Sequence, residues 1–365
     1  MPVNDAAMST SSARRRQRGK ARGVIHGWRL LGVCLVALSV VGASGAGGQG
    51  AGGQGGAGSE AIVVAAGLDT PRGLALGPLG ELYVADSGDA SRPGSGRVVR
   101  IGADGVAAPV LTGAANLTAA PHGPTYIYGL SDIAVRGDGL LVTVGFGEEA
   151  TVPNRLVSLD AAGNSATLFD LDRFERERDP DGRGVGSNAT GVVVAPDGAV
   201  WVSDAGGNWA ARLASDGSPA AVVAFPSVDG EEAVPTGLAA GPDGSVYVAL
   251  LRCLAPTGGK GGVARMTSDG AYQIVATGLS MPIDVAFDAA GRLHVLEFAV
   301  DYAPNSGRLV RVGADGSMTV LVGALNYPTS LALTDSGAAY VAQMAGVAGG
   351  GPGTGRIVRF DLAGQ

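Results

Sequence analysis

Six copies of one strand pattern, joined by tight Gly-Asp turns, predict that this 365-residue chain folds as an all-β, six-bladed β-propeller. Each copy begins with a short apolar run, a turn such as APDG, and a second run that ends near an acid. A variable loop, an Arg-containing run, another turn and a final run follow. Since no helical period separates these runs, each copy reads as one blade of four antiparallel strands.

The spacing of the copies predicts where the blades begin and how the ring closes. Most equivalent positions lie 46 or 47 residues apart, and two spacings of 59 contain insertions near residues 114–127 and 171–187. The equivalent positions are Gly73, Asp132, Gly191, Gly237, Asp284 and Ser330. The sixth copy ends without an outer strand, while residues 64–71 match the pattern of residues 275–282. We therefore expect residues 61–67 to complete the last blade and close the ring.

The first sixty residues have the composition of an export signal and a flexible linker. Residues 14–20 are strongly basic, residues 30–41 form an apolar run, and small residues follow at 43–46. This order predicts a signal peptide at residues 1–46, with an uncleaved signal anchor as the alternative. A glycine-rich linker is expected at 47–58 and the propeller at 59–365. The protein is accordingly expected to be secreted or extracytoplasmic and of bacterial origin.

Charge and composition exclude several classes of function. The net charge is −7, but residues 1–46 hold seven basic residues and one acid, which leaves 19 basic and 32 acidic residues in the remainder. Such an acidic body argues against nucleic acid as a partner. Only three histidines are present, which disfavours a multi-histidine metal centre. The chain also has no nucleophile elbow, phosphate loop or zinc signature.

Three segments carry a resemblance to a known family. The run LDRFERERDPDGRGVGSNATGVVVAPDGAVWVSDAGGN (171–208) closely resembles the ScyD/ScyE family of exported bacterial proteins, as do residues 67–88 and 234–251. The resemblance covers the whole chain after the leader. It implies an NHL-like, SMP-30-like six-bladed propeller outside the cytoplasm. It brings no agreed catalytic residues, so it informs fold and location more than chemistry.

The long loops predict which face of the propeller carries function. The turns between first and second strands, and between third and fourth, are uniformly tight. The second-to-third loops vary in length, and both insertions lie between blades. All of these longer segments emerge on one side of a propeller, here called the loop-rich face, and the other side is the plain face. Since variable loops on a rigid scaffold carry binding, we expect the site on the loop-rich face.

Acidic residues close three of the second strands, namely Asp86, Asp204 and Glu297. Gly145, Leu250 and Gln343 occupy the same position in the other blades. Three carboxylates near a channel rim could hold Ca²⁺ or act as acid and base. The alternative is that they bond to backbone groups of nearby loops.

A second column lies where the chain begins each inner strand. Lactonases of the SMP-30 and paraoxonase type place Asn, Asp and Glu ligands for Ca²⁺ in such a column. Here the column reads Arg72, Ser131, Thr190, Thr236, Ile283 and Thr329, with no carboxylate and no amide. Asp132 and Asp284 lie one position later, and Asn188 lies two positions earlier, so a displaced site stays open.

The insertions supply the remaining candidates. His122, Tyr126 and Tyr128 lie in the first insertion and could act as a base or stack against a ligand. Asn208 is the last residue of the segment 171–208, which carries the family resemblance, and we also expect it to bind the ligand. The charge run at residues 174–179 reads as a solvated loop or short helical turn, and His294 reads as a packed strand residue.

The function we expect is binding of a small molecule or a protein partner at the loop-rich face, without catalysis. The ligand-binding residues expected are Arg72, Asp86, His122, Tyr126, Tyr128, Asp132, Asp204, Asn208, Asp284 and Glu297. One alternative is a Ca²⁺-dependent lactonase or esterase that uses Asp132, Asp204, Asp284 and Glu297. Another is a structural scaffold at the cell envelope. No cofactor is expected beyond that possible Ca²⁺, and membrane contact only if the signal segment stays uncleaved.

Overall fold

The computed structural model describes residues 60–89, 91–115, 117–119, 126–145, 153–252, 259–300, 303–344 and 352–363. Within these ranges the chain is nearly all β, and it forms six antiparallel sheets arranged as the predicted six-bladed propeller. Five sheets have four strands, and the second blade carries one additional short strand. The fold class expected from the repeats is therefore confirmed.

The strands follow one another in the order that the repeats predict. β1 (Ile62–Leu68) precedes the first blade, which contains β2 (Pro71–Leu76), β3 (Leu82–Asp86), β4 (Gly96–Ile101) and β5 (Ala107–Ala114). Blade two contains β6 (Leu117–Ala119), β7 (Tyr126–Arg136), β8 (Gly139–Gly145), β9 (Arg155–Leu159) and β10 (Ser165–Asp170). Blade three contains β11 (Ala189–Val194), β12 (Val200–Asp204), β13 (Trp209–Leu213) and β14 (Pro219–Ala224).

The second half of the ring repeats the same order. Blade four contains β15 (Pro235–Ala240), β16 (Val246–Leu250), β17 (Gly261–Met266) and β18 (Tyr272–Leu279). Blade five contains β19 (Pro282–Phe287), β20 (Leu293–Glu297), β21 (Gly307–Val312) and β22 (Met318–Leu325). Blade six contains β23 (Pro328–Leu333), β24 (Ala338–Gln343) and β25 (Gly355–Asp361).

Blade six is completed by the first strand of the chain, as predicted. β1 pairs antiparallel with β25, from Ile62 opposite Arg359 to Leu68 opposite Gly355. The sheet order is therefore β1, β25, β24 and β23. Near the start of β1, Val64 borders the same surface groove as the plain-face turns at Gly80 and Gly105. This pairing leaves β25 without a free edge.

The hydrophobic core lies between neighbouring blades. β12 is buried along its whole length, and the second strands of the other blades are largely buried. One representative cluster packs Ala85 and Val98 of blade one against Leu130, Ile133 and Val142 of blade two. Because both faces of these strands are covered, their sequences are nearly continuous apolar runs rather than alternating ones.

The same kind of hydrogen bond, from a backbone N–H to an aspartate side chain, recurs in the plain-face turns. The Asp197 carboxylate accepts a hydrogen bond from the Ala199 N–H at 2.9 Å, and Asp243 accepts one from the Ser245 N–H at 3.1 Å. Arg212 and Arg265 on the third strands pair with these acids at 3.1 and 2.5 Å. Third-strand arginines of blades three and four thus form surface ion pairs with these turn acids.

The second insertion contains a helix, α1 (Leu171–Arg178), between β10 and β11. The Asp170 side chain caps its first turn by accepting from the Arg173 N–H, and the helix ends at Asp179 in the left-handed conformation with φ 40°. Phe174 packs edge-on against Trp209 at 5.1 Å between ring centroids, so α1 rests on blade three. No helix in the described part of the chain has the length and apolarity needed to cross a membrane.

Candidate functional site

A cavity lies at the centre of the ring, and residues from all six blades line it. The volume of this cavity is about 60 Å³, which leaves room for a few water molecules. The whole column at the start of the inner strands borders this cavity, namely Arg72, Ser131, Thr190, Thr236, Ile283 and Thr329. The sequence therefore located the lining of the channel, although it did not establish what the channel binds.

Two carboxyl groups lie one position beyond that column. Asp132 belongs to blade two and Asp284 to blade five, which stand on opposite sides of a six-membered ring, and both line the cavity. Asp132 Oδ2 accepts from the Val192 N–H at 2.9 Å. Asp284 Oδ2 accepts from Ser330 Oγ at 2.9 Å and from the Leu331 N–H at 2.8 Å. Each acid is thus held by the following blade.

Glycines make the space for these two acids. A Cβ at Gly73 would lie 2.5 Å from the Cα of Asp132, and a Cβ at Gly237 would lie 2.1 Å from Oδ1 of Asp284. Any other residue at either position would displace the acid or the neighbouring backbone. The blades that precede each acid therefore carry glycine where the acids approach.

Burial changes the charge of this pair. Burial raises the pKa of Asp284 to about 6. Burial, followed by the negative charge of Asp284, raises the pKa of Asp132 well above its ordinary range. Both shifts favour the protonated forms, so the pair can keep a proton at a pH where exposed carboxyl groups have lost theirs. Arg72 adds a positive charge to the same cavity wall.

A cluster of buried apolar side chains, here called the apolar collar, lines part of the cavity wall. Leu251, Met281, Phe298 and Met344 line it and belong to one buried cluster with Val234 and Tyr327. Val234, Met281 and Tyr327 each precede the proline that begins an inner strand and adopt φ values of 50°, 49° and 48°. Such angles are strained for residues with a Cβ, above all for a β-branched valine. The backbone thus bears strain where three blades contribute this apolar collar.

Threonines of the column join one blade to the next. Thr190 Oγ1 donates to the Pro235 carbonyl at 2.9 Å, and Thr329 Oγ1 donates to the Pro71 carbonyl at 2.8 Å. Thr236 makes the equivalent bond to Pro282 at 3.3 Å. These hydroxyls are therefore committed to the scaffold.

The acids that close the second strands make bonds within the protein. Asp86 accepts from the Thr70 N–H at 2.7 Å and pairs with Arg97 at 2.9 Å. Glu297 accepts from the Ser280 N–H at 2.6 Å and pairs with Arg308 at 2.5 Å. Asp204 accepts from Ser187 Oγ at 2.5 Å and from three backbone N–H groups. All three are fully buried and do not line the central cavity.

The structure thus brings Asp132 and Asp284 together and leaves Asp204 and Glu297 apart from them. His122 lies outside the described residues, as does the side chain of Tyr126. Tyr128 is partly buried against the core between blades one and two. His294 is packed in its strand as expected, with Nδ1 2.9 Å from the Arg292 carbonyl, and burial lowers its pKa.

The charge run lies mostly in α1, in line with the expected short helical turn, but one of its residues is not solvated. Glu175 of α1 is 0% exposed, and its Oε2 accepts from Trp209 Nε1 at 2.7 Å. Burial is the main cause that raises the pKa of Glu175 to about 8, and the negative charges of Asp204, Asp181 and Asp179 contribute to the rise against the lowering effect of the Trp209 hydrogen bond. The available signal was the i, i+4 spacing that places Glu175 on the same helix face as the buried Leu171.

Asn208, expected as a ligand-binding residue, holds together the elements beside Glu175. Its Nδ2 donates to Asp181 Oδ2 at 3.0 Å, and its Oδ1 accepts from the Val234 N–H at 3.1 Å. Its backbone is left-handed, with φ 56°. One carboxylate oxygen each from Glu175, Asp179 and Asp181 lies within 4.8 Å of the others. This acidic group could hold a metal ion.

Comparison with known proteins gives structural neighbours only. No family model matches this chain, and no curated protein sequence matches it significantly. The PQQ-bound aldose sugar dehydrogenase from Streptomyces coelicolor is similar, with 16% identity and a TM-score of 0.56 over 84% of this chain and 99% of that one. A gluconolactonase from Xanthomonas campestris has 16% identity and a TM-score of 0.56 over 83% and 90%.

A third similar structure is a catalytically inactive virginiamycin B lyase from Staphylococcus aureus with quinupristin. It has 13% identity and a TM-score of 0.51 over 84% of this chain and 89% of that one. The structural neighbours are thus SMP-30/gluconolactonase-like and streptogramin B lyase six-bladed propellers. At these identities the likeness establishes the fold, and the chemistry has to be argued from the site itself.

Proposed function

We propose that this protein is an exported propeller that binds a small, neutral, amphipathic organic molecule at the mouth of its central channel, without converting it. The observation that carries this proposal is the pair of buried acids, Asp132 and Asp284, beneath an apolar collar. Ligand sites of this kind combine an apolar lining with a few convergent polar groups.

The charge of the acid pair favours a neutral ligand. The raised pKa values of the two acids reduce the negative charge of the pair, and Arg72 adds a positive charge to the same wall. A hydroxyl or a carbonyl oxygen can exchange hydrogen bonds with such a pair. A carboxylate ligand would instead face the ionised Asp284 in a buried, poorly solvated space.

The apolar collar supports an amphipathic ligand. Met281, Phe298 and Met344 line the same cavity as the two acids, so an alkyl or ring body would contact them while a polar end meets the acids. The strained backbone at Met281 and its equivalents supports a binding role, because strained residues concentrate at functional sites.

Export and family membership belong to the same proposal. The basic, apolar and small-residue order of residues 1–46 supports secretion or an extracytoplasmic location. The segments at 67–88, 171–208 and 234–251 support membership of the ScyD/ScyE family. The acidic body supports a partner other than nucleic acid.

Calorimetric titration of the full-length protein with medium-chain lactones, alkyl glycosides and aliphatic alcohols tests the proposal. We expect saturable binding of neutral members and at least tenfold weaker binding of the ring-opened hydroxy acids. Asp132→Asn and Asp284→Asn should each weaken binding about tenfold, while Asp243→Asn on the plain face should not. If no neutral member binds, or if binding is unchanged in both channel variants, the proposal is wrong.

The second candidate is a lactonase-like hydrolase, and the raised pKa values of the same two acids favour it. Asp132, whose pKa is raised well above its ordinary range, suits a general acid, and Asp284, with a pKa of about 6, suits a general base. The lactones used for titration also test this reaction. Ring opening that is lost in Asp284→Asn would establish the hydrolase, and binding without ring opening would favour the non-catalytic protein.

A further inference from the structure

The acidic group on the second insertion contains an oxygen that the protein leaves without a partner. Glu175 is 0% exposed, and its Oε2 is bonded to Trp209. Its Oε1 is equally buried and has no hydrogen-bond partner. An unsatisfied buried polar atom costs about 1–3 kcal/mol, and more when the group is charged. Buried oxygens in this condition call for a specific explanation.

The neighbours of Glu175 are themselves acceptors. Asp179 and Asp181 each place a carboxylate oxygen within 4.8 Å of a Glu175 oxygen, and Asp204 adds a further negative charge nearby. Carboxylates cannot satisfy one another without a proton or a cation between them. The Arg183 N–H donates to Asp181 Oδ1 at 2.9 Å, and the Arg183 guanidinium pairs with Glu232 at 2.9 Å.

The spacing of the three oxygens suits a calcium ion. Ca²⁺ binds oxygen at about 2.3–2.6 Å, so two ligands on opposite sides of the ion lie about 5 Å apart. The three oxygens fall within that span, and no hydrogen bond reaches Glu175 Oε1. Ca²⁺ also tolerates irregular coordination, whereas Mg²⁺ demands a near-ideal octahedron.

Both aspartates are held in place by groups outside the trio. The Gly184 N–H donates to both oxygens of Asp179 at 3.0 Å. Asn208 Nδ2 donates to Asp181 Oδ2 at 3.0 Å, and Asn208 itself is fixed by the Val234 N–H. Such outer bonds orient metal ligands.

We propose that Glu175, Asp179 and Asp181 bind a Ca²⁺ ion, which fastens the inserted helix to blade three beside the loop-rich face. The ion supplies Glu175 Oε1 with its missing partner. It also neutralises three converging carboxylates that would otherwise repel one another. This proposal concerns a site apart from the central channel and does not depend on the ligand proposed there.

Calcium titration of the full-length, chelator-treated protein tests this site. We expect saturable binding of CaCl₂ by calorimetry, a rise in Tm and a change in tryptophan fluorescence, since Trp209 contacts Glu175. Glu175→Gln and Asp181→Asn should each weaken binding at least tenfold. The matched control is Asp197→Asn, an exposed turn acid that should bind Ca²⁺ like the unmodified protein.

Terbium luminescence gives a readout specific to this place. Tb³⁺ takes the oxygen ligands of Ca²⁺ and emits when a nearby indole transfers its excitation energy. Excitation of tryptophan should produce emission that Ca²⁺ displaces and that Trp209→Phe abolishes. Absence of Ca²⁺ binding by the unmodified protein, or equal binding by folded Asp181→Asn, would overturn the proposal. Should Glu175→Gln fail to fold, Asp181→Asn decides the matter, because Asp181 is only half-buried.

Discussion

Asparagine at position 284 should change how stability depends on pH. The Asp284 carboxyl has a pKa of about 6 in the folded protein and 3.8 as its ordinary value, and burial is the main cause. Between these pH values the folded state holds a proton that the unfolded state has released. Stability from this group is therefore fully present below pH 3.8 and is lost as the pH rises through 6.

The size of this effect follows from the shift. Two pKa units correspond to about 3 kcal/mol at 1.36 kcal/mol per unit. Asparagine does not ionise, so it avoids this loss. Because removing the charge of Asp284 also lowers the pKa of Asp132, the comparison is made in the Asp132→Asn background. Between pH 4 and pH 7, the Asp132→Asn variant should therefore lose about 2.5 kcal/mol relative to the variant that carries both Asp132→Asn and Asp284→Asn.

Urea unfolding measures this difference through the fluorescence of the buried Trp201 and Trp209. Free energies of unfolding are compared from pH 4 to pH 8 in the presence of chelator. A difference that stays constant with pH would refute a buried, proton-holding Asp284. The control is Asp243→Asn. Hydrogen bonds and Arg265 lower the pKa of Asp243, so the stability that this carboxylate contributes is lost as the pH falls, the opposite direction to Asp284.

Three further predictions concern the ring and the insertion. A chain that begins at residue 69 lacks β1, so it should aggregate and lose its cooperative unfolding transition. A chain that begins at residue 60 should melt like the full chain. Light scattering measures the aggregation, and calorimetry measures the unfolding transition. Gly73→Ala should cost about 1–3 kcal/mol in urea unfolding because its Cβ meets Asp132, whereas Gly323→Ala, with open space around its Cβ, should change stability little. With chelator present, the Tm of Glu175→Gln should rise relative to that of the unmodified protein between pH 5 and pH 9, because Glu175, with a pKa of about 8, becomes ionised while buried. The same Tm difference at both pH values would contradict this.

The sequence predicted the blades, the ring closure and the lining of the channel because these depend on local signals. Strand runs and Asp-Gly turns repeat at a nearly constant interval, and each repeat places Arg72 or its equivalent at the same depth. The missing sixth outer strand then had one remaining source, the run that became β1.

The sequence did not reveal the interaction between charged groups of distant blades, nor the strained backbone angles. Asp132 and Asp284 belong to different blades, so only the closed ring reveals that one raises the pKa of the other. Residues before proline favour extended backbone, and nothing local indicated left-handed angles at Val234 or Met281. Glu175 was taken as solvated because its neighbours are charged, yet the helix turns it toward Trp209.

The position of β1 sets the orientation of any chain attached through its N-terminus. Its first residues lie beside the plain-face turns, and it runs from there toward the face that holds the channel mouth. Residue 60, at which the described part of the chain begins, therefore lies at the side of the ring opposite the cavity. If the protein were attached to a surface at residue 60, the cavity would open away from that surface, toward molecules arriving from the surrounding medium.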